Sequence, residues 1–279
     1  MIYIVVPVFN RKNFTRDCLE SLRTQSYKDF KTIVVDDGST DGTGEMLRTE
    51  FPEVIVLEGD GNLFWTAGTN LGIRYALERD ASYILTLNND TIVPEDFMDR
   101  MVYWSQREPD ALLGALSVDI NSKTAYYGGE LVNWRRGSGI FLLDALPEEK
   151  RKGLHEVSLF PGRGLLIPRK VFDKIGLFDE KTFPHYAADN DFTLSARRHG
   201  FKIYCNYDAW LYMYPEATGT IVNTKTKNIG RYFNHLFGIR GGGNLRNYTL
   251  YVFRHCPRPQ IPVALLVGYI RRIGGYWIR

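Results

Sequence analysis

One predicted strand runs directly into a polar cluster, in the sequence Ile84-Leu85-Thr86-Leu87-Asn88-Asn89-Asp90-Thr91. Its first four residues favour a buried strand, and Asn88-Asn89-Asp90 favours a turn. A carboxylate and two amides are therefore expected at the carboxyl end of a strand, the edge at which open α/β sheets bind ligands. One acid beside amides suits Mg²⁺ or Mn²⁺, and such a cation suits a diphosphate. A strand that simply ends in a polar turn is the alternative interpretation.

Two earlier strands end in the same way. The apolar run Ile2–Val8 is typical of a strand buried on both faces, and Phe9-Asn10-Arg11 follows it. A second strand at residues 32–35 is followed by Asp36-Asp37. Helical spacing of apolar residues at 13–25 separates them, which predicts right-handed βαβ units and a parallel sheet. Because parallel strands bring their carboxyl ends to one edge, the three polar clusters are expected to converge.

The next segments are less regular. In the glycine-containing segment 59–72, Trp65 is predicted to lie in a loop just before a helix at residues 66–79, where it either contacts a ligand or anchors the loop. Between residues 112 and 141, short alternating segments and paired glycines predict a mixed extension of the sheet.

A helix is predicted from about Asp189 to His199, with Gly200 closing it. Asp189 has two interpretations. As a helix cap, its carboxyl would have a lowered pKa; as a general base, it would take a proton from a hydroxyl. Asp191 lies about 200° further around the helix, so the two acids cannot face one substrate equally.

Composition limits the class of protein. With 44% hydrophobic and 24% charged residues among 279, the chain is typical of a globular protein. The net charge of +3 is too small to indicate a nucleic-acid partner. Three scattered cysteines predict neither a zinc site nor a disulfide framework and fit a reducing compartment. The amino terminus is interpreted as a strand rather than a signal peptide, and no apolar run reaches the roughly 18 residues of a spanning helix.

The chain changes character after residue 224, where helical segments rich in arginine and aromatic residues begin. Residues 261–279 combine an apolar run with Arg271 and Arg272. This helix is expected either to lie in a membrane interface or to pack on the body of the protein or on another subunit of a homo-oligomer. We predict one domain over residues 1–222 and a helical extension over 223–279.

Together these patterns resemble the family 2 glycosyltransferases, which have the GT-A fold and transfer sugars with inversion. That fold is α/β, a Rossmann-like nucleotide-binding mixed sheet flanked by helices. The resemblance covers about residues 2–215 and is carried in the expected order by residues 5–11, 34–43, 68–73, 88–90, 164–180 and 188–191. Phe64-Trp65-Thr66 and Asn88-Asn89-Asp90 resemble the branch that contains rhamnosyl- and galactofuranosyltransferases.

The resemblance implies a donor site for a UDP- or dTDP-linked sugar at the strand ends. The residues that would bind this nucleotide-sugar are Pro7, Phe9, Asn10, Asp36, Asp37, Trp65, Asn70 and Asn89. Among them, Asp36 would accept a hydrogen bond from the imide of the base.

The resemblance also implies a metal and a base. Asp90, with Asn88, would hold a divalent cation, Mn²⁺ or Mg²⁺, that bridges the donor diphosphate. Asp189 would activate a hydroxyl of a glycan or lipid-linked glycan acceptor. Such an enzyme would build cell-surface polysaccharide from the cytoplasm, at the inner face of the plasma membrane.

Three departures from the family pattern leave the need for metal open. The D-x-D motif has become Asn88-Asn89-Asp90, Ala188 replaces a glutamate, and residues 212–215 lack the histidine that many relatives carry there. A non-catalytic nucleotide- or glycan-binding relative is therefore an alternative. A nucleotidyltransferase is disfavoured, because no glycine-rich loop follows the first strand.

Overall fold

The computed structural model describes residues 1–217 and 228–278. Its strands are β1 (Ile2–Val8), β2 (Phe30–Asp36), β3 (Ile55–Glu58), β4 (Tyr83–Thr86), β5 (Thr91–Ile92), β6 (Leu112–Asp119), β7 (Ala125–Tyr127), β8 (Glu130–Asn133), β9 (Ser138–Phe141), β10 (Leu154–Glu156), β11 (Leu165–Pro168) and β12 (Ile203–Met213). Its helices are α1 (Lys12–Arg23), α2 (Thr43–Glu50), α3 (Phe64–Leu77), α4 (Phe97–Arg107), α5 (Leu142–Ala145), α6 (Arg169–Ile175), α7 (Ala188–Arg198), α8 (Ile229–Phe237), α9 (Leu245–His255) and α10 (Ile261–Ile278). Single 3₁₀ turns occur at Trp134–Arg136, Glu148–Lys150, Pro215–Ala217 and Arg258–Gln260.

One mixed sheet of ten strands forms the centre of the molecule. Its order is β10-β12-β6-β11-β4-β1-β2-β3, with β5 beside β12 and β7 beside β6. The four strands β3, β2, β1 and β4 are parallel, whereas β11 runs antiparallel to both of its neighbours. The predicted mixed α/β fold class is therefore confirmed. The predicted mixed extension of the sheet is confirmed for β6 and β7, whereas β8 and β9 pair with each other in a separate two-stranded sheet.

Helices cover both faces of this sheet. Side chains of α1, α2 and α4 form a hydrophobic core on one face, and those of α3, α6 and α7 form a second core on the other. Along β1, Ile4 and Val6 point into the first core while Val5 points into the second. Burial on both faces explains why this strand is almost continuously apolar.

Local boundaries differ from the prediction at two places. Trp65 is not in a loop but in the first turn of α3, which begins at Phe64. Residues 202–205 and 208–214, predicted as two extended segments, belong to the single strand β12, whose pairing with β6 shifts between Asn206 and Trp210. A shift of this kind bends a strand without ending it, so sequence periodicity alone suggested two strands.

The C-terminal helices α8, α9 and α10 form a small layer against the body of the protein. Tyr248, Val252 and Ala264 are the centre of their own hydrophobic cluster, and α9 also packs on α7. The predicted domain boundary at residues 222–223 lies outside the described residues. No helix within residues 1–217 or 228–278 is long and apolar enough to cross a bilayer.

Candidate active site

A cleft of about 520 Å³ opens where β1, β2 and β4 end. Eight of the sequence candidates line it: Pro7, Phe9, Asp37, Trp65, Asn88, Asn89, Asp90 and Asp189. The volume lies within the range of about 300–1,000 Å³ that is usual for small-molecule sites. The expected convergence of three strand ends therefore produces a single cavity.

Backbone strain is concentrated around this cleft. Asn10, Arg11, Phe64 and Ala187 all have left-handed backbones, with φ between 54° and 71°. Few residues other than glycine adopt this conformation, and backbone strain of this kind occurs most often at functional sites. The strain at Asn10 and Arg11 turns the chain sharply after β1 and directs Arg11 toward Asp90.

Three sequence candidates do not line the cleft. Asn10 accepts a hydrogen bond from the Thr40 N–H (2.9 Å), and buried Asp36 accepts one from the Ser39 N–H (3.0 Å). These bonds fix the loop after β2. Asn70 is buried in α3, where its amide donates to the Phe178 carbonyl oxygen (2.8 Å). The structure thus gives Asn70 a role in tying α3 to the loop after α6.

Asp37 holds the entrance of α3. Its carboxylate accepts hydrogen bonds from the N–H groups of Gly61 (2.9 Å), Leu63 (3.0 Å) and Phe64 (3.2 Å). A carboxylate bonded to successive N–H groups at a helix start is favourably placed. Asp37 therefore shapes the wall of the cleft at the start of α3.

Asp90 is the acid at the end of β4, and one of its oxygens has no partner. Oδ2 bonds to Arg11 Nη1 at 3.1 Å, while buried Oδ1 makes no hydrogen bond within the described residues. An unsatisfied buried carboxylate oxygen calls for an external donor or cation. Mg²⁺ is often held by only one or two carboxylates together with substrate phosphates, so Asp90 fits a divalent cation that arrives with a diphosphate.

The two asparagines before Asp90 are already bonded. Asn88 Oδ1 accepts from the Trp65 indole N–H at 3.0 Å, and the Asn89 amide donates to Thr15 Oγ1 at 3.0 Å. No group of three or more acidic, His or Cys side chains capable of holding a metal occurs in the described part of the chain. Asp90 is therefore the one carboxylate at this position that could hold a metal, and the Asn88 oxygen already accepts one hydrogen bond, from Trp65.

Three arginines line the same cleft: Arg11, Arg163 and Arg240. Buried Nε of Arg163 makes no hydrogen bond within residues 1–217 and 228–278. The Arg240 guanidinium lies 5.3 Å from the centre of the Phe64 ring. Sequence reasoning missed Arg163 and Arg240; the available signal was an arginine inside or beside glycines, in Gly162-Arg163-Gly164 and Arg240-Gly241-Gly242.

His185 also lines the cleft and is neutral at physiological pH. Burial lowers its pKa to about 4, and the charges of Arg240 and Arg11 act in the same direction. Its Nδ1 atom is buried and makes no hydrogen bond within the described residues. A neutral imidazole beside three guanidinium groups can bond a ligand without adding positive charge.

Asp189 lies in the cleft wall at the start of α7. Its Oδ2 accepts from the Gly162 N–H (3.0 Å) and its Oδ1 from the Asn190 N–H (2.9 Å). The helix cap is Ala187, not Asp189. The lowered pKa expected of a capping carboxyl is also wrong, because burial raises the pKa of Asp189 despite these hydrogen bonds and the charge of Arg163. A raised pKa makes a carboxylate a better proton acceptor near neutral pH.

Asp191 faces away from the cleft, as its helical position predicts. Its buried carboxylate pairs with Arg254 Nη1 (2.9 Å) and with His255 Nε2 (2.8 Å), both from α9. The two acids of α7 thus have separate tasks: Asp189 faces the cavity, and Asp191 anchors the C-terminal helices.

Comparison with known proteins gives a consistent result. The family model described as glycosyl transferase family 2 matches residues 3–176. Glycosyltransferase GlyA of Streptococcus pneumoniae serotype 4 is 33% identical over 104 residues, which are 36% of this chain and 14% of GlyA. Glycosyltransferase GlyG of the same organism is 25% identical over 244 residues, which are 81% of this chain and 74% of GlyG. This chain thus spans only a small part of the length of GlyA.

A solved structure with the same fold is that of S. aureus TarS 1–349 in complex with UDP-GlcNAc. It superposes with a TM-score of 0.60 over 99% of this chain and 91% of the TarS chain, at 14% sequence identity. This likeness confirms the predicted GT-A fold.

Proposed function

The chain belongs to glycosyl transferase family 2, and we propose that it transfers a sugar, with inversion, from a UDP- or dTDP-sugar to a hydroxyl of a glycan or lipid-linked glycan. The observation that carries this proposal is that Asp189, a carboxylate with a raised pKa, shares one cleft with Asp90 and three arginines. A base and a site for a leaving diphosphate are what such a transfer requires.

The reaction follows from this placement. A bond forms between the acceptor oxygen and the anomeric carbon while the bond from that carbon to the diphosphate oxygen breaks. Asp189 receives the hydroxyl proton, and the electron pair leaves with the diphosphate, whose charge Arg11, Arg163 and Arg240 stabilise. Asp90 would hold a divalent cation, which supplies further positive charge to the diphosphate when bound.

Support for the donor class comes from two sources. TarS, a protein of the same fold, has been solved with UDP-GlcNAc. In this chain, the loops fixed by Asp36 and Asp37 follow the parallel strands β2 and β3, at the edge where such sheets receive nucleotides. The branch resemblance adds dTDP-rhamnose and UDP-galactofuranose to the donors worth testing.

Slow hydrolysis of a donor panel tests the donor and the metal together. We expect one UDP- or dTDP-sugar to be hydrolysed, with Mg²⁺ or Mn²⁺ accelerating the reaction and EDTA lowering but not abolishing it. The reason is that Asp90 is one carboxylate, whereas the three arginines remain in EDTA. Asp90→Ala should remove only the metal-dependent part of the rate. Complete loss in EDTA would contradict the contribution of the arginines.

The alternative function, a non-catalytic binding protein, gives a different result in the same panel. It would bind one nucleotide-sugar tightly and release no nucleotide, with or without a glycan acceptor. Detectable turnover of the bound donor rules this alternative out.

We also propose that the C-terminal helices attach the enzyme to an anionic membrane surface. Ten of the 35 Lys and Arg residues follow Glu216, and none of the 32 Asp and Glu residues do. On α8, the exposed apolar side chains form one stripe of Ile229, Phe233 and Phe237. On α10, a second stripe consists of Val263, Leu266, Ile270, Ile273 and Trp277. The two helices are in contact through Tyr232 and Trp277. Exposed apolar stripes on a segment rich in Lys and Arg are typical of interfacial helices, and each Lys or Arg that reaches such a membrane surface contributes about 1 kcal/mol.

Vesicle sedimentation tests this attachment. We expect binding to vesicles containing phosphatidylglycerol, weaker binding at high salt, and little binding to pure phosphatidylcholine. The variant Leu266→Ser/Ile270→Ser should bind several-fold less, whereas Tyr103→Ser, which removes an exposed ring from α4, should not differ from wild type. Equal binding to both vesicle types would contradict the role of charge. A dimer lost in the same variant, without vesicle binding, would assign the stripes to a second copy of the chain.

A further inference from the structure

A second cavity, of about 170 Å³, lies beside the cleft on the far side of Tyr186. Tyr186 lines both cavities. The segment at residues 240–242 also borders both, since Arg240 lines the cleft while Gly241 and Gly242 line the second cavity. We propose that this second cavity binds the terminal sugar of the acceptor and that this sugar carries an anionic group, a carboxylate or a phosphate. The inference rests on the proposed function, because it names the acceptor of that reaction.

The position of the cavity relative to the base supports the assignment. Ala187 and Asn190 line the second cavity, and Asp189, which lies between them in the chain, lines the cleft. The base therefore stands at the junction of the two cavities. A sugar in the second cavity would bring a hydroxyl toward Asp189, the base of the proposed reaction.

The walls of the cavity suit a sugar ring. The rings of Trp134 and Tyr251 lie 5.5 Å apart and supply apolar faces. The side-chain amides of Asn190 and Asn247 make no hydrogen bond to another described residue, so they are available to sugar hydroxyls. The volume is below the range of about 300–1,000 Å³ for drug-sized ligands, which indicates a single ring rather than a long oligosaccharide segment.

Arg272 gives the cavity its preference for an anion. Its guanidinium lies 3.4 Å from the centre of the Tyr248 ring and donates to the Gly268 carbonyl oxygen at 3.2 Å. Within the described residues, no carboxylate lies at ion-pair distance from it. Burial lowers the pKa of Arg272, in keeping with the absence of a described ion-pair partner. An anionic substituent on the acceptor would supply the missing partner.

Glu130 lines the same cavity, and its carboxyl would repel an anionic ligand if it were ionised. Burial raises the pKa of Glu130, so its surroundings disfavour the charged form. Its carboxyl lies next to the Gly139 N–H, whose hydrogen bond acts in the opposite direction. A carboxyl that resists ionisation repels an anion less and can bond to a sugar hydroxyl.

Ligand binding in the presence of UDP tests this inference. The probes are methyl β-glucuronide, N-acetylglucosamine 1-phosphate and neutral methyl β-glucoside, measured by saturation-transfer NMR and calorimetry. We expect at least one anionic probe to bind, and Arg272→Gln to weaken it about tenfold, the loss expected for one hydrogen bond to a charged group. The weaker binding of the neutral glucoside should not change. Which anionic probe binds distinguishes a carboxylate from a phosphate on the acceptor.

Arg271→Gln is the matched control, because the neighbouring Arg271 is exposed and does not line the cavity. It should leave the binding of all three probes unchanged. Failure of both anionic probes, or equal binding of the neutral glucoside, overturns the inference. If donor hydrolysis persists in that case, only the acceptor assignment fails, whereas absence of nucleotide-sugar binding would count against the proposed function itself.

Discussion

Replacing Asp189 with asparagine is expected to lower the rate of sugar transfer by about 10²–10⁴-fold, the range typical of a lost general base. Binding of the donor should be unchanged, because an amide keeps the shape of the side chain. The pH profile is diagnostic. Burial raises the pKa of Asp189 above its ordinary value of 3.8, and the residue accepts a proton only when ionised. Activity of the wild type should therefore fall as the pH drops through this raised pKa, and the variant should lack that limb.

Asp191→Asn provides the comparison on the same helix. The chemical change is identical, but Asp191 faces Arg254 and His255 rather than the cleft. We expect this variant to be less stable to heat and to retain turnover per folded molecule. If Asp189→Asn kept full activity while Asp191→Asn lost it, the assignment of the base would have to be reversed.

Arg163→Gln is expected to lower kcat/KM by about 10²–10³-fold, as for removal of one preorganised group that stabilises developing charge. Arg163 lines the cleft, and its charge also lowers the pKa of Asp189. Without that charge, the acidic limb of the pH profile should move to higher pH. The loss of rate should be greatest in EDTA, where the arginines alone face the diphosphate.

Arg107→Gln is the matched control for this prediction, since Arg107 is exposed on α4 and stacks on Tyr103. It should leave both the rate and the pH profile unchanged. Full activity of Arg163→Gln in EDTA would show that this arginine does not stabilise the leaving group. Arg240→Gln, from the C-terminal layer, extends the same test to a residue beyond the family match.

The parallel half of the fold was predictable because its signals are local. A strand buried on both faces is apolar along its length, as in β1, and its end is marked by a polar cluster, as at Asn88-Asn89-Asp90. The convergence of these clusters follows from parallel pairing alone. Eight of the eleven predicted site residues line the cleft, and six of these eight lie at or just after the ends of β1, β2 and β4.

The remaining features depend on contacts between distant parts of the chain. Asn70 fits the family signature, but its amide is used by Phe178, 108 residues later. Arg240 reaches the cleft from the C-terminal helices, and the spacing of apolar residues along the sequence does not predict such a long-range contact. Trp65 was predicted in a loop because the glycines before it gave no sign that α3 begins at Phe64. Its indole packs so closely on Gly162 that a Cβ atom there would collide with it, which is a contact between distant parts of the chain.

The contacts of Asp191 on α7 with Arg254 and His255 on α9 affect how the protein denatures. Asp191 is buried, and its partners Arg254 and His255 both come from the C-terminal layer. Separating that layer from the body would break both of these contacts and the packing of α9 on α7 at the same time. The catalytic body and its C-terminal helices should therefore melt together, in one cooperative calorimetric transition.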